Sequence, residues 1–233
     1  MRPLRSSTIV VVAALGLGCG LEVVAFLSSP VVPSPTDGIV PEYQFEQNAD
    51  TDPLIFQGFE LFYKFYTPDP DTYRSAYEED MTAVTGQFTS SPDRVLRSRG
   101  YARVVNPERD DPGNPQLPLL EVPTEYRDDM FDVNVVFPGD GVTPAPGTAT
   151  LQFDDDTLIV PLYRSIRGTT TEFASFSPNE VQSSDADVPN TIADTTNIAL
   201  GLVVIAFGRD RSTFPAPPLY SEPVPLGIAP LLN

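Results

Sequence analysis

The chain has 233 residues with 32 acidic against 14 basic side chains, a net charge of −18, and it contains no histidine, no tryptophan and a single cysteine. Those absences exclude a serine triad built on histidine, an imidazole base or metal ligand, and any disulfide within the chain. The charge opposes nucleic acid and anionic headgroups at long range, and 26 prolines with 15 glycines favour short strands joined by turns over long helices.

Arg2 and Arg5 precede an apolar run over residues 9–18, and Cys19 follows among Gly16, Gly18 and Gly20. This layout resembles a bacterial lipoprotein signal peptide, in which the cysteine becomes the lipidated N-terminus after cleavage. Leu15 lies four residues before the cysteine and Gly16 occupies the third place, a looser spacing that resembles spirochaetal lipoproteins. The resemblance implies a signal over residues 1–18 and a lipid on Cys19; the prolines and serines over residues 28–38 predict a semi-extended tether over residues 19–40. An uncleaved membrane anchor over residues 9–27 is the alternative; Glu22 counts against it, because a carboxylate near the middle of a spanning helix costs about 3 kcal/mol. Both readings place the remainder outside the cytoplasm. Without Arg2 and Arg5, 12 basic residues face 32 acidic ones, a net of −20. Lysine occurs once, at Lys64; salt adaptation and a codon bias favouring arginine both account for an acidic, lysine-poor chain.

The folded part is expected over residues 41–233, about 190 residues, enough for a core without disulfides. The aromatic run over residues 54–66 predicts a strand with Leu61, Tyr63 and Phe65 on a dry face, and Glu60, Phe62, Lys64 and Tyr66 on a mixed one. Lys64 is expected to reach from that mixed face to water. Asp71 is expected to cap a helix through about Val84, with Tyr73, Ala76 or Tyr77, Met81 and Val84 inward and Glu78, Glu79 and Asp80 largely outward. Ser91, Pro92 and Gly100 mark the start and stop of a second short helix, whose Arg94, Arg97 and Arg99 are expected to pair with nearby carboxylates. Strands follow over 101–105 and 130–137, then a hairpin over 147–153 and 157–163 whose tip is Asp154, Asp155 and Asp156. After a polar stretch over 169–196, residues 198–207 form the most hydrophobic strand, and residues 220–226 close the domain as a proline-bearing edge strand.

Gly58-Phe59-Glu60-Leu61-Phe62-Tyr63-Lys64 resembles the middle strand of fibronectin type III domains. Leu202-Val203-Val204-Ile205-Ala206-Phe207-Gly208, with Tyr220-Ser221-Glu222-Pro223-Val224, resembles that fold's last two strands. The tryptophan expected before the middle strand is missing, and the interval over about 68–196 is far longer than in that family. The resemblance implies a mainly β, immunoglobulin- or fibronectin type III-like β-sandwich with a large insertion carrying one or two short helices. It implies binding or spacing roles rather than catalysis.

Asp154, Asp155 and Asp156 offer the oxygen ligands calcium uses, without the Asp-x-Asp-x-Asp-Gly loop and distal Glu of an EF-hand. Solvated charge is the competing reading. No phosphate-binding glycine loop or nucleophile–base spacing is present, so no cofactor and no enzymatic activity are expected. The expected role is that of a bacterial envelope lipoprotein, periplasmic or on the cell surface, attached through lipid on Cys19 and engaging a protein partner. Recognition of a cation or glycan through acidic loops and tyrosines is the alternative.

Overall fold

The computed structural model describes residues 27–33, 42–85, 91–108, 117–137, 146–166, 172–193, 195, 198–210 and 216–231. In chain order, β1 (Glu42–Glu46) and β2 (Phe56–Tyr66) precede two helices, α1 (Pro70–Val84) and α2 (Pro92–Ser98). Short strands β3 (Ala102–Arg103) and β4 (Leu120–Glu121) lead to β5 (Asp132–Val136), β6 (Gly147–Gln152), β7 (Thr157–Leu162) and β8 (Arg164–Ser165). The strands β9 (Phe173–Ala174), β10 (Ala199–Arg209), β11 (Pro218–Tyr220) and β12 (Val224–Pro230) follow.

Two antiparallel sheets face each other. One has the order β1-β5-β6-β7; the other is built on the β2–β10 pair, with β3 and β4 beside β2 and β11 and β12 beside β10. Alternation along the strands assigns the faces. Phe59, Leu61, Tyr63 and Phe65 of β2 and Leu200, Leu202, Val204 and Ala206 of β10 point between the sheets, meeting Tyr43, Phe45, Val133, Val135, Leu151 and Leu162. Phe45 and Phe59 cross edge to face at 5.0 Å. Each such side chain, fully buried, contributes about 1.5–3 kcal/mol of transfer free energy.

The opposite face of the second sheet is covered as well. Phe62, Tyr66, Val203 and Ile205 pack under Tyr73, Tyr77, Met81 and Val84 of α1 and Leu96 of α2. This third layer explains why β10 is buried from Ala199 to Gly208: apolar residues on both faces of an antiparallel strand require cover on both. It also corrects the mixed face expected of β2. Lys64 is not a surface residue reaching to water but lies under the helices, its side chain 20% exposed and paired with Asp80 at 2.5 Å. Asp80, expected outward, is accordingly buried at 7%. The remaining inward residues of α1 are those its spacing predicts, while its N-cap is Asp69 rather than Asp71, with Pro70 in the first turn. The second helix starts after Ser91, and Gly100 ends it at φ 83°.

The hairpin matches its predicted bounds closely, Gln152 pairing Thr157 across the acidic tip. The strand expected over 101–105 shortens to β3 plus a single bridge from Val105 to Tyr163. β2 pairs with β10, and β10 with β11 and β12; the closing strand expected over 220–226 is divided between β11 and β12, with Ser221, Glu222 and Pro223 between them. The interval over 68–196, expected as an insertion, supplies both helices and three of the four strands of the first sheet.

Residues 27–33, within the span expected as a tether, pack on the domain. Leu27 is buried in the core between the sheets. The Ser28 hydroxyl donates to the Asp50 carbonyl, Asn48 donates to the Ser29 carbonyl, and Val31 and Glu46 exchange both backbone hydrogen bonds at 3.0 and 2.8 Å.

Candidate functional site

The most concentrated polar chemistry lies where β7 runs through Tyr163 into β8. Arg164 is wholly buried there. A buried guanidinium is tolerated only when its donors are satisfied and its charge is opposed. Its Nε donates to the Ser175 carbonyl at 2.9 Å, Nη1 to both carboxylate oxygens of Asp187 at 3.1 and 3.2 Å, and Nη2 to the Glu180 carbonyl. Nη2 also lies 2.8 Å from the Asp185 carboxylate. The Phe65 ring of β2 lies 5.8 Å from Cζ.

A second ring of contacts holds these partners. The Tyr63 hydroxyl donates to Asp187 at 2.7 Å, and burial, with Asp187 next, raises the Tyr63 pKa well above its ordinary value. Glu180 accepts from the Ser175 amide at 3.0 Å and from its hydroxyl at 2.6 Å, while Asp185 accepts from the Gln182 amide at 2.9 Å. Apart from the short pairing of β9 with β8, the irregular stretch over 172–193 is thus organised around one arginine.

Beside this network opens a cavity of about 530 Å³, lined by Ile166, Phe173, Asn179, Glu180, Gln182 and Asp185 among others. Two carboxylates and two amides at its wall suit a cationic or hydroxyl-rich ligand. Among the described residues the guanidinium beside it is that of Arg164, which turns its N–H groups to carbonyls and carboxylates of the protein.

A second buried polar cluster joins the sheet to the helices. Asp80 accepts from Lys64 and, at 2.8 Å, from the Tyr66 hydroxyl, which is itself 2.7 Å from the Tyr101 hydroxyl. Lys64 Nζ lies 5.1 Å from the Tyr66 ring centre and 5.7 Å from that of Tyr101. Nearby, Arg103 of β3 makes a two-pronged pair with Glu60 of β2 at 2.5 and 3.1 Å.

Asp154, Asp155 and Asp156 are all exposed at the hairpin tip. Asp156 accepts the Thr157 amide at 2.7 Å and faces the Tyr126 hydroxyl at 3.5 Å, so it stabilises the turn. Among the described residues no group of three or more Asp, Glu, Cys or His side chains is arranged to hold a metal ion. Cys19 lies outside the described residues, among which no helix is long and apolar enough to cross a membrane.

Sequence reasoning missed Arg164, Asp185 and Asp187. The only local signal was an arginine directly after the alternating strand over 157–163, with two acids about twenty residues on. Of the nine tyrosines, Tyr43, Tyr63, Tyr66, Tyr73, Tyr77 and Tyr101 are buried in the core, leaving Tyr126, Tyr163 and Tyr220 partly exposed. No family model, no curated protein and no solved structure matches this chain.

Proposed function

We propose that this chain is a bacterial envelope lipoprotein, anchored by lipid on Cys19, whose folded part serves as a non-enzymatic interaction or structural module outside the cytoplasm. The observation that carries the reading is the basic start and apolar run that end at the chain's one cysteine. The burial of Leu27 supports cleavage over an uncleaved anchor: a spanning helix over residues 9–27 would have to give up its last residue to the domain core. The buried ionic groups also favour a module, because Arg164, Lys64 and Arg103 each join separate elements of the fold through carboxylates. We read the scaffold as related to fibronectin type III sandwiches through β2, β10 and the closing strands, with the helical layer and the four-stranded sheet as its departures.

Metabolic labelling with a fatty-acid analogue tests this reading. Label should appear on the wild-type protein and vanish in Cys19→Ala, which should also leave the membrane fraction. An unlabelled, full-length wild-type protein in the cytosol is the outcome that overturns it.

A further inference from the structure

We infer that one end of the domain, formed by residue 27 and the turn at 52–55, faces and touches the bilayer, with Leu54 as the contacting side chain. The inference rests on the membrane-anchored reading above, with attachment through lipid on Cys19.

The first argument is reach. Leu27 is fixed in the core, its Cδ1 directed at Gly208, where an added Cβ would stand 3.1 Å from it. Eight residue steps separate Cys19 from Leu27, which at full extension span at most about 29 Å. The expected tether of 22 residues would have let the domain turn freely; docking of residues 27–33 restricts that freedom to the eight steps before Leu27. The chain therefore enters the fold at one known end, close to the membrane.

The second argument comes from what surrounds that entry. The Ser28 hydroxyl holds the Asp50 carbonyl, and the Ile55 carbonyl accepts from the Arg209 amide at 2.9 Å beside Gly208. The turn between Asp50 and Ile55 thus forms the wall of the entry site. At its tip Leu54 is 80% exposed, the most exposed of the large hydrophobic side chains described. The turn is held out by Asp52, whose carboxylate accepts the Leu54 amide at 2.9 Å and whose carbonyl accepts from Ile55 and Phe56. Beside the membrane connection, a rigid turn that presents a bare leucine can withdraw that side chain from water only at a surface outside the domain, and the lipid surface is the one the chain's entry brings near. Asp50 and Asp52 flank it, both exposed, so the surface that suits it is zwitterionic rather than anionic.

The far end is set by β2, which runs from Phe56 to Tyr66 over roughly 33 Å and delivers the chain to the start of α1. Asp71, exposed in the first turn of that helix, should point away from the bilayer.

The test uses the full chain from a lipid-modifying host, reconstituted in phosphatidylcholine vesicles that carry nitroxide-labelled phosphatidylcholine. With Cys19 acylated, Asp50→Cys and Asp71→Cys each give one reactive thiol for a fluorophore. Strong quenching at position 50, little at 71, and a fall at 50 when Leu54→Ser is added are expected. Vesicle-bound protein quenched equally at both positions, more at 71, or unchanged by Leu54→Ser overturns the inference while leaving the anchor intact. Failure to float with vesicles instead overturns the anchored reading, and the inference with it.

Discussion

The Tyr77 hydroxyl accepts the Gly227 amide at 3.1 Å while donating to the Leu202 carbonyl at 3.2 Å. These two backbone groups face each other on β10 and β12 beside the register shift that leaves Leu226 without a partner residue. The helix therefore closes a gap in the sheet's own hydrogen bonding. From the other side Tyr43 donates to the Leu200 carbonyl at 2.7 Å, so tyrosines from two layers bond to the same edge of β10.

Removing that bond isolates its worth. Tyr77→Phe keeps the ring under the sheet but strands a buried N–H and a buried C=O, which should cost about 1–3 kcal/mol. Urea unfolding should show a lower midpoint with an unchanged slope. A midpoint equal to wild type would mean that the bulge does not depend on the helix.

The buried tyrosines make the fold alkali-sensitive. Burial pushes the hydroxyls of Tyr43, Tyr63, Tyr66, Tyr77 and Tyr101 above their ordinary value, with Asp187 adding to the effect on Tyr63 and Tyr101 to that on Tyr66. In the unfolded chain the same groups lose their protons near pH 10. Above that pH the folded state holds more protons than the unfolded one, so stability falls as pH rises and is fully present below it. Each group contributes up to about 1.4 kcal/mol per pH unit, enough in sum to unfold a domain of ordinary stability within about two units. Circular dichroism and tyrosinate absorbance should change together in a pH titration; tyrosinate forming first, in a still folded protein, would contradict the account.

The parts of the fold legible in the sequence were those set by local periodicity. The alternation of residues 59–65, the inward face of α1 and the paired runs around Asp154–Asp156 all depend on neighbours within a few positions, and all three are observed. What periodicity leaves undetermined is what covers a face. Lys64 and Asp80 each read as surface residues in their own element, and only the packing of α1 on β2 makes them one pair. Arg164 was hidden for the same reason: its partners Asp185 and Asp187 sit in a stretch with no period, and their placement follows from the arginine. Leu27 read as the end of an apolar run, yet Gly208, which its Cδ1 faces, lies far away in sequence.

Arg164 should be the most sensitive polar position in the protein. Arg164→Met keeps much of the volume but leaves Asp185 and Asp187 opposed to each other and the Ser175 and Glu180 carbonyls without donors. Breaking a buried pair from one side costs about 3–5 kcal/mol. Adding Asp187→Leu and Asp185→Leu should restore part of that loss, because the uncompensated charges leave with the arginine. Proteolysis of folded protein gives a local readout, with cleavage expected within residues 172–193 in the single variant. If the triple variant were less stable than Arg164→Met by the sum of separate losses, the three groups would not be acting as one network.

Gly58 tests the packing between β2 and the short strand beside it. Its φ of 151° lies in a region that L side chains rarely adopt, and an added Cβ would stand 2.0 Å from the Leu120 carbonyl oxygen. Both the backbone and the neighbour must move to admit a methyl group, and the neighbour is backbone fixed by pairing of Gly58 with Glu121 and Phe59 with Leu120. Gly58→Ala should therefore cost more than the 1–3 kcal/mol typical of an overpacked core, roughly 3 or above. Gly201→Ala offers the contrast: its added Cβ meets the Tyr66 and Tyr77 rings at 2.8 and 2.9 Å, side chains rather than backbone, and no positive φ adds to the cost. Thermal unfolding of the two variants should rank Gly58→Ala well below Gly201→Ala; the reverse order would place the rigid contact on the helical side of the sheet instead.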